Sequence, residues 1–566
     1  MPLIVPQVAL FVILHYWSAT LRLVSTYWYE RQLGRYQDHW LVKLNEWLDL
    51  TALEAACASF HTHNGRGAPI VHPSPRLVRA LLVKYLHNLS LRQTEELIDN
   101  HILIKWFVGY PMFEPPLDHS YLNRFELWVF RTCPRLFFDE VIRLIDQLCP
   151  EDRARIQLVD TFGLHARAAN TYLVELLRDV CAQILPLLAA TDPDFHLALL
   201  LQLELTALFG RPEDKITAAL KGAERGERLQ LVARQALRLT RLLNQHLDQA
   251  THLPPEQQLG LRVRLAHLAK IIADETTVTA LDPTDPDAVK ITERKHGDKG
   301  SYRIGSASDY TATYRKHDDH KEAILGYNPT VLGTKVFIRE TQVDTGAQQD
   351  NTALPQVLQS QYDQHGFFPA QVAGDMKYGY GKTRAQVAEV SGGQTQVIAL
   401  VPDTDKRTDR YGPRDFTLAD DGLALTCPNH QTTACRYLTP DKGGADFRFP
   451  AKLCRECPLW DKCRRPDSKK SAPRNVFISF YREEVAAAQE FNQTDAAKQG
   501  LKTRMNIERH IYCLTHIYGA RHAHSYGQER TDFQLKMQAT ALNLRQLVRE
   551  VGKKQAARGG LRPLAV

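Results

Sequence analysis

Hydrophobic and polar positions change period several times along the chain, and each change marks a new kind of element. From about residue 25 to 150 the period is helical. Arg76 to Leu86 repeats apolar side chains at helical spacing, and Leu89 to Ile98 offers Ser90 as the N-cap of a second helix. A third helix is predicted to start at Asp118, after a break at Pro111 to Pro116. Two short helices, a break and a polar-aromatic helix suit a helical DNA-binding module, although non-binding bundles share the pattern. Ile156 to Phe162 is different: a short run of β-forming residues ending in one carboxylate, Asp160, which fits a buried strand.

Helical period returns from Tyr172 to about Thr277, with Leu-rich stretches at Leu197 to Leu208 and Leu229 to Leu247. This reads as an inserted helical bundle, and its pattern suggests no chemistry. Two strands are then predicted at Ile324 to Val331 and Thr334 to Thr341, joined through Gly333, followed by a helix from Asn351 to His365. Pro369 to Asp375 is a second apolar strand ending in Asp. A short helix from Thr383 to Val390, a strand from Gln396 to Pro402 and a C-terminal helical segment from Ala486 to Val551, broken at Tyr518 to Gly527, complete the pattern.

Composition adds class and partner. At 566 residues with 44% hydrophobic and 24% charged positions, the chain is ordinary globular material for several domains. A net charge of +7 permits a polyanion partner. The basic bias concentrates at Lys452 to Arg474 and again at Arg504, Arg509, Arg521 and Arg530, where a solvated face is the competing explanation. The apolar stretch Leu3 to Trp17 is shorter than the roughly 20 residues a membrane-spanning helix needs and contains Pro6 and His15. It reads as a packed N-terminal segment or an overextended start, with a signal anchor as the lesser alternative, and no membrane partner is expected.

Of the ten cysteines, five lie between Cys427 and Cys463. Cys454 and Cys457 form a C-x₂-C pair; with Cys463 and Cys427 they supply four thiolates for a closed tetrahedral Zn²⁺ site, with Cys435 and His430 as spares. Reduced, unliganded thiols are the alternative. His510, His516, His522 and His524 read mostly as polar-face residues near DNA or solvent.

Asp rarely occupies a strand interior unless it is paired or bound to a cation. Asp160 and Asp375 end two apolar strands, and Glu508 lies on a helix that can cross the same sheet edge. Three converging carboxylates hold two hard divalent cations, Mg²⁺ or Mn²⁺, the arrangement that serves phosphodiester displacement. For each residue the competing explanation is a solvated or ion-paired carboxylate.

The chain resembles the DDE transposases of bacterial insertion sequences. The resemblance rests on the helical module around Leu89 to Phe125, Val159-Asp160-Thr161, Thr284 to Ala288, Leu325-Gly326-Tyr327-Asn328, Ala373-Gly374-Asp375, the Cys region, and the block through Ala541 to Arg545. Arg504 and Glu508 keep the family's Arg-to-Glu spacing, while Leu501 stands where Tyr is expected and Thr515 where Lys is expected. The resemblance implies an α/β fold with an RNase H-like core and mixed sheet, an N-terminal helical DNA-binding domain over 1–150, and a first catalytic strand within 151–171. It further implies a helical insertion over 172–277, continued core over 278–420, a zinc-knuckle-like insertion over 421–475 and a C-terminal helical part over 476–566. It implies Asp160, Asp375 and Glu508 as catalytic metal ligands and a homodimer or higher oligomer on double-stranded DNA, at element ends and target. Candidate DNA contacts are Arg92, Arg124, Arg504, Arg509 and Arg521. Arg504 steadies a phosphate or Glu508, or forms a structural ion pair. A non-catalytic DNA-binding descendant and a hydrolytic nuclease are the competing functional readings.

Overall fold

A computed structural model describes residues 23–61, 70–211, 213–214, 219–315, 323–401, 410–440, 443–465, 467–557 and 559. The apolar stretch Leu3 to Trp17 lies outside them. The architecture is mixed α/β around one mixed sheet. Its central strands are β1 (Gln157–Thr161), β2 (Ile324–Gly333), β3 (Ile338–Thr345), β4 (Gln371–Ala373) and β5 (Gln396–Ile398). They lie in the order β3-β2-β1-β4-β5. β2 runs antiparallel to β1 and to β3, whereas β4 and β5 are parallel to β1.

The N-terminal helices α1 (Ser74–Leu86), α2 (Leu91–Asn100), α3 (His119–Thr132) and α4 (Leu136–Leu148) form where expected. Ser90 caps α2 in a reciprocal capping box with Gln93, and the Asp118 carboxylate accepts from the Ser120 and Tyr121 amides. One buried apolar cluster runs from Leu77 and Phe125 of these helices through Leu158 and Ala373 of the sheet to Leu535 and Leu542. The last two belong to the long C-terminal helix.

The predicted strand from Thr334 to Thr341 begins later, at Ile338. Thr334 is the reason: its hydroxyl accepts from the Val336 and Phe337 amides and its own amide bonds to the Phe337 carbonyl, so these residues close a turn. β3 is then covered by the C-terminal helix, where the Asn543 side-chain amide bonds both the amide (3.0 Å) and the carbonyl (2.8 Å) of Ile338.

The insertion contains helices α5 (Leu173–Thr191), α6 (Pro193–Gln202), α7 (Gly222–Gln249) and α8 (Pro255–Glu275) around an apolar cluster of its own. That cluster continues past residue 277 into Ile291, Ile304 and Ala307, because a hairpin of Thr276–Ala280 and Val289–Glu293 packs on α7. Gln230 of α7 bonds both the Val289 carbonyl and the Ile291 amide.

Helices α9 (Leu354–His365) and α10 (Gly381–Val390) cover one face of the sheet. The other face receives α11 (Asp495–Arg504) and α12 (Asn506–Tyr512), ahead of the C-terminal helix α13 (Gln528–Ala557).

Candidate active site

Register brings the two strand-end aspartates to equivalent places. Leu158 of β1 pairs with Ala373 of β4, and Asp160 and Asp375 each lie two residues beyond that pair. Adjacent strands are about 4.8 Å apart, so both carboxylates reach the same sheet edge. Asp375 caps the turn Met376–Gly379 through the Lys377 amide (2.9 Å), and Asp160 accepts from the Thr161 amide (2.8 Å). Burial, with repulsion from Asp375 and Asp350, pushes the Asp160 carboxyl up to about 6, against the opposing pull of the Thr161 amide and Arg504.

Arg504 is delivered by α11. This helix comes close because Gly500 has no side chain: a Cβ there would sit 2.7 Å from Cδ1 of Ile398 on β5. Arg504 Nη1 then lies 3.8 Å from Asp160 Oδ2.

Glu508, one helical turn beyond Arg504, is placed differently. On α12, Ile507 is fully buried, His510 Nε2 meets the Thr334 carbonyl at 2.9 Å, and Arg509 donates to the Lys335 carbonyl at 2.8 Å. These contacts fasten the helix across β1 and β2 and leave Glu508 exposed. Among the described residues no hydrogen bond or ion pair reaches it, and Asp160, Asp375 and Glu508 do not form a cluster with all ligand oxygens within 4.8 Å of one another.

Three further residues enter the site that pattern reading missed. Asp350 follows β3 and binds Lys377 (2.5 Å), Arg315 (3.3 Å) and Asn328 (3.0 Å). Burial pushes its carboxyl up, but these cationic and amide partners outweigh burial and hold it below the ordinary range. Tyr378 is wholly buried, and burial followed by the charges of Asp160, Asp350 and Asp375 raises its hydroxyl well above the usual phenol range. Among the described residues that hydroxyl has no hydrogen-bond partner. Gly374 makes room for it, since a Cβ there would meet the Tyr378 ring at 2.6 Å. The one signal available for Tyr378 was its place three residues after Asp375; Asp350 and Arg315 had none.

The remaining basic candidates are dispersed. Arg92 on α2 and Arg124 on α3 are exposed, with Arg124 lying over the Tyr121 ring. Arg521 donates to the Gly163 carbonyl at 3.1 Å, so it and Arg509 both serve the backbone near the sheet. His510 departs from the polar-face expectation: it is 1% exposed, and burial lowers its imidazole to about 4 despite the carbonyl it meets.

Cys427, Cys454, Cys457 and Cys463 line one cavity with Phe416, Phe449 and Trp460, while Cys435 and His430 are not part of that lining. Burial, then the neighbouring thiols, raise Cys454. No three of the sulfurs lie within 4.8 Å of one another.

Two family models match this chain: a transposase domain over residues 30–126 and a transposase DDE domain over residues 426–548. The first span contains Arg92 and Arg124; the second contains the four cavity cysteines, Arg504 and Glu508. No curated protein and no solved structure matches. Together with strand-end acids on a mixed sheet, these two matches indicate a protein of the transposase class. The second match indicates, within that class, a transposase of the DDE type. Among the described residues no helix is long and apolar enough to cross a membrane.

Proposed function

We propose that this transposase cleaves and joins phosphodiester bonds at the ends of its insertion sequence, with Asp160, Asp375 and Glu508 as the acidic triad. The observation that carries the reading is the register of β1 and β4, which sets Asp160 and Asp375 side by side, so that Asp375 adds to burial in raising the Asp160 carboxyl. Two adjacent carboxylates, of which Asp160 is raised by burial and by its neighbour, fit a hard divalent cation, Mg²⁺ or Mn²⁺. The unpartnered Tyr378 hydroxyl beneath them fits the same group, since a buried donor needs an acceptor such as a bound water. The chemistry supplied by a bound pair of such ions is activation of the attacking oxygen and stabilisation of the leaving one.

This chain's residues do the rest. Asp160 and Asp375 hold the site from the sheet, and Glu508 completes it from α12 by turning inward from its exposed position. Arg504 offsets part of the charge on Asp160 and is placed to meet a scissile phosphate. The strand order, with only the second strand antiparallel to the first among the neighbours of β1, supports an RNase H-like core. The exposed Arg92 and Arg124 support DNA contact by the N-terminal helices, and the four clustered thiols support a structural Zn²⁺. Function as a homodimer or higher oligomer on double-stranded DNA, in the cytoplasm on the nucleoid, accompanies this reading.

The exposed, unbonded Glu508 favours one alternative, a DNA-binding descendant that no longer cuts. The test is cleavage and joining of the element's own end DNA with Mg²⁺, comparing the natural chain with Asp160→Ala, Asp375→Ala and Glu508→Ala at equal DNA occupancy. Loss of both reactions in all three variants supports the triad. A natural chain that binds the ends but neither cuts nor joins them establishes the alternative.

A further inference from the structure

The insertion holds a polar cluster that the transposition chemistry does not use. Asp192 lies at the corner between α5 and α6, His246 in the last turn of α7, and His252 in the link from α7 to α8. The Nε2 atoms of His246 and His252 lie 2.8 and 3.2 Å from the same oxygen, Asp192 Oδ2. Among the described residues this is the sole group of three His, Cys, Asp or Glu side chains whose ligand atoms all fall within 4.8 Å of one another.

We propose that Asp192, His246 and His252 form a transition-metal site, filled by Zn²⁺ or a similar borderline divalent ion. Nitrogen and carboxylate ligands 2.0–2.1 Å from a tetrahedral zinc ion lie about 3.3 Å from each other. The two nitrogen–oxygen separations need to open by about 0.5 and 0.1 Å to accept the ion, and the two imidazole nitrogens lie within 4.8 Å of each other. Two of the three ligands are already oriented. Asp192 Oδ1 accepts from the Phe195 amide at 3.0 Å, which aims Oδ2 at the imidazoles, and the Phe195 ring stacks on His246 with centroids 3.6 Å apart and planes 4° apart.

The donor set selects the ion. Two imidazoles and one carboxylate suit Zn²⁺, Co²⁺ or Ni²⁺ over Mg²⁺, which separates this site from the acid pair on the sheet. Asp192 is buried, whereas the His252 side chain is 62% exposed, so the fourth position faces solvent. Three protein ligands with an open position leave room for water or a further ligand. A bound ion would pin the α5–α6 corner to the α7–α8 corner, the two turns that close the same end of the bundle.

The test uses the full chain carrying Cys427→Ser and Cys454→Ser, which removes the thiol cavity as a competing site. Stripped of metal, it is titrated with Co²⁺ and followed by visible absorption, alone and with His252→Ala or Asp192→Asn added. One Co²⁺ per chain with strong tetrahedral or five-coordinate bands and no thiolate charge-transfer band is expected, any Co²⁺ on the all-oxygen carboxylates of the sheet absorbing only weakly. Each added substitution weakens binding at least tenfold. His252 is exposed and outside the helices, so His252→Ala keeps the fold, which circular dichroism verifies. Zn²⁺ should displace the Co²⁺ and raise the melting temperature of the insertion in the parent but not in His252→Ala. Absence of saturable Co²⁺ binding, or binding unchanged by His252→Ala, would show that Asp192 is only a hydrogen-bond acceptor for two histidines and would overturn the proposal.

Discussion

The sheet edge and the inserted bundle solve the same problem in opposite ways. Each withdraws a carboxylate partly or wholly from water, where charge is costly. At the sheet edge Asp160 has another aspartate beside it and one arginine at 3.8 Å, and its carboxyl is pushed up to about 6. In the bundle Asp192 receives a backbone amide and two imidazoles, which outweigh burial and hold it below the ordinary range. A satisfied carboxylate organises its neighbours, whereas an unsatisfied one is poised for something it lacks. The bundle also has an apolar cluster separate from that of the sheet, so perturbing one region should leave the packing of the other intact.

The largest effect that would sharpen this contrast is catalytic. Replacing Asp160 or Asp375 by Ala should lower end cleavage by about a thousandfold or more, the scale on which removing charge-stabilising groups acts, with DNA binding retained in a mobility-shift assay. In the absence of divalent metal, Asp160→Asn should unfold at a higher temperature than the natural chain at pH 8, because it removes the repulsion. Equal or lower melting would break the claim that this carboxylate is unsatisfied.

Next comes acid sensitivity of the α12 anchor. Burial lowers His510 to about 4, while an unfolded chain takes up its proton near the ordinary imidazole value of 6.5. The unfolded state therefore binds more protons between these values. This residue's contribution is complete above about pH 6.5 and is lost as pH falls toward 4, by on the order of 3 kcal/mol. Urea unfolding at pH 7 and pH 4.5 should show the loss in the natural chain and a smaller loss in His510→Gln; an identical pH slope in both would refute the assignment.

Gly500→Val should be milder. It overpacks the contact of α11 with Ile398, at a cost of roughly 1–3 kcal/mol, and shifts Arg504 from Asp160. Thermal unfolding should register the loss in the sheet transition while hydrogen exchange in α7 and α8 stays unchanged. Protection lost in both regions would mean that the two cores are coupled.

Smallest are the exposed arginines. Arg92→Ala or Arg124→Ala should each reduce the slope of log affinity against log salt by about one if the side chain meets a phosphate. An unaltered slope would remove that residue from the interface.

Much of the local architecture was legible because local forces set it. The caps at Ser90 and Asp118, the apolar strands that lead to Asp160 and Asp375, and α9 ending at Gly366, which has positive φ, all follow from side-chain type and spacing. The late start of β3 was hidden in a turn closed by the Thr334 hydroxyl, a bond that apolar periodicity does not encode. His510 shows the same limit: its histidine type suggested a polar surface, and its burial follows from α12 lying on the turn at Thr334. The insertion was read as having no chemistry because Asp192, His246 and His252 are separated by helices, and only the packing of two corners brings them within bonding distance.

The sequence by itself determined which residues cap, turn, pair into strands and carry charge, since those preferences act over a few bonds. Two stretches of it also suffice to match transposase domain models. Only tertiary structure decided that β1 and β4 are neighbours, that Asp350 and Tyr378 join Asp160, and that Arg504 meets Asp160 while Glu508 stays exposed. The physical reason is that a carboxylate's environment is set by which segments pack around it, and residues far apart in the chain become neighbours only when burying apolar surface offsets the entropy of closing the loops between them.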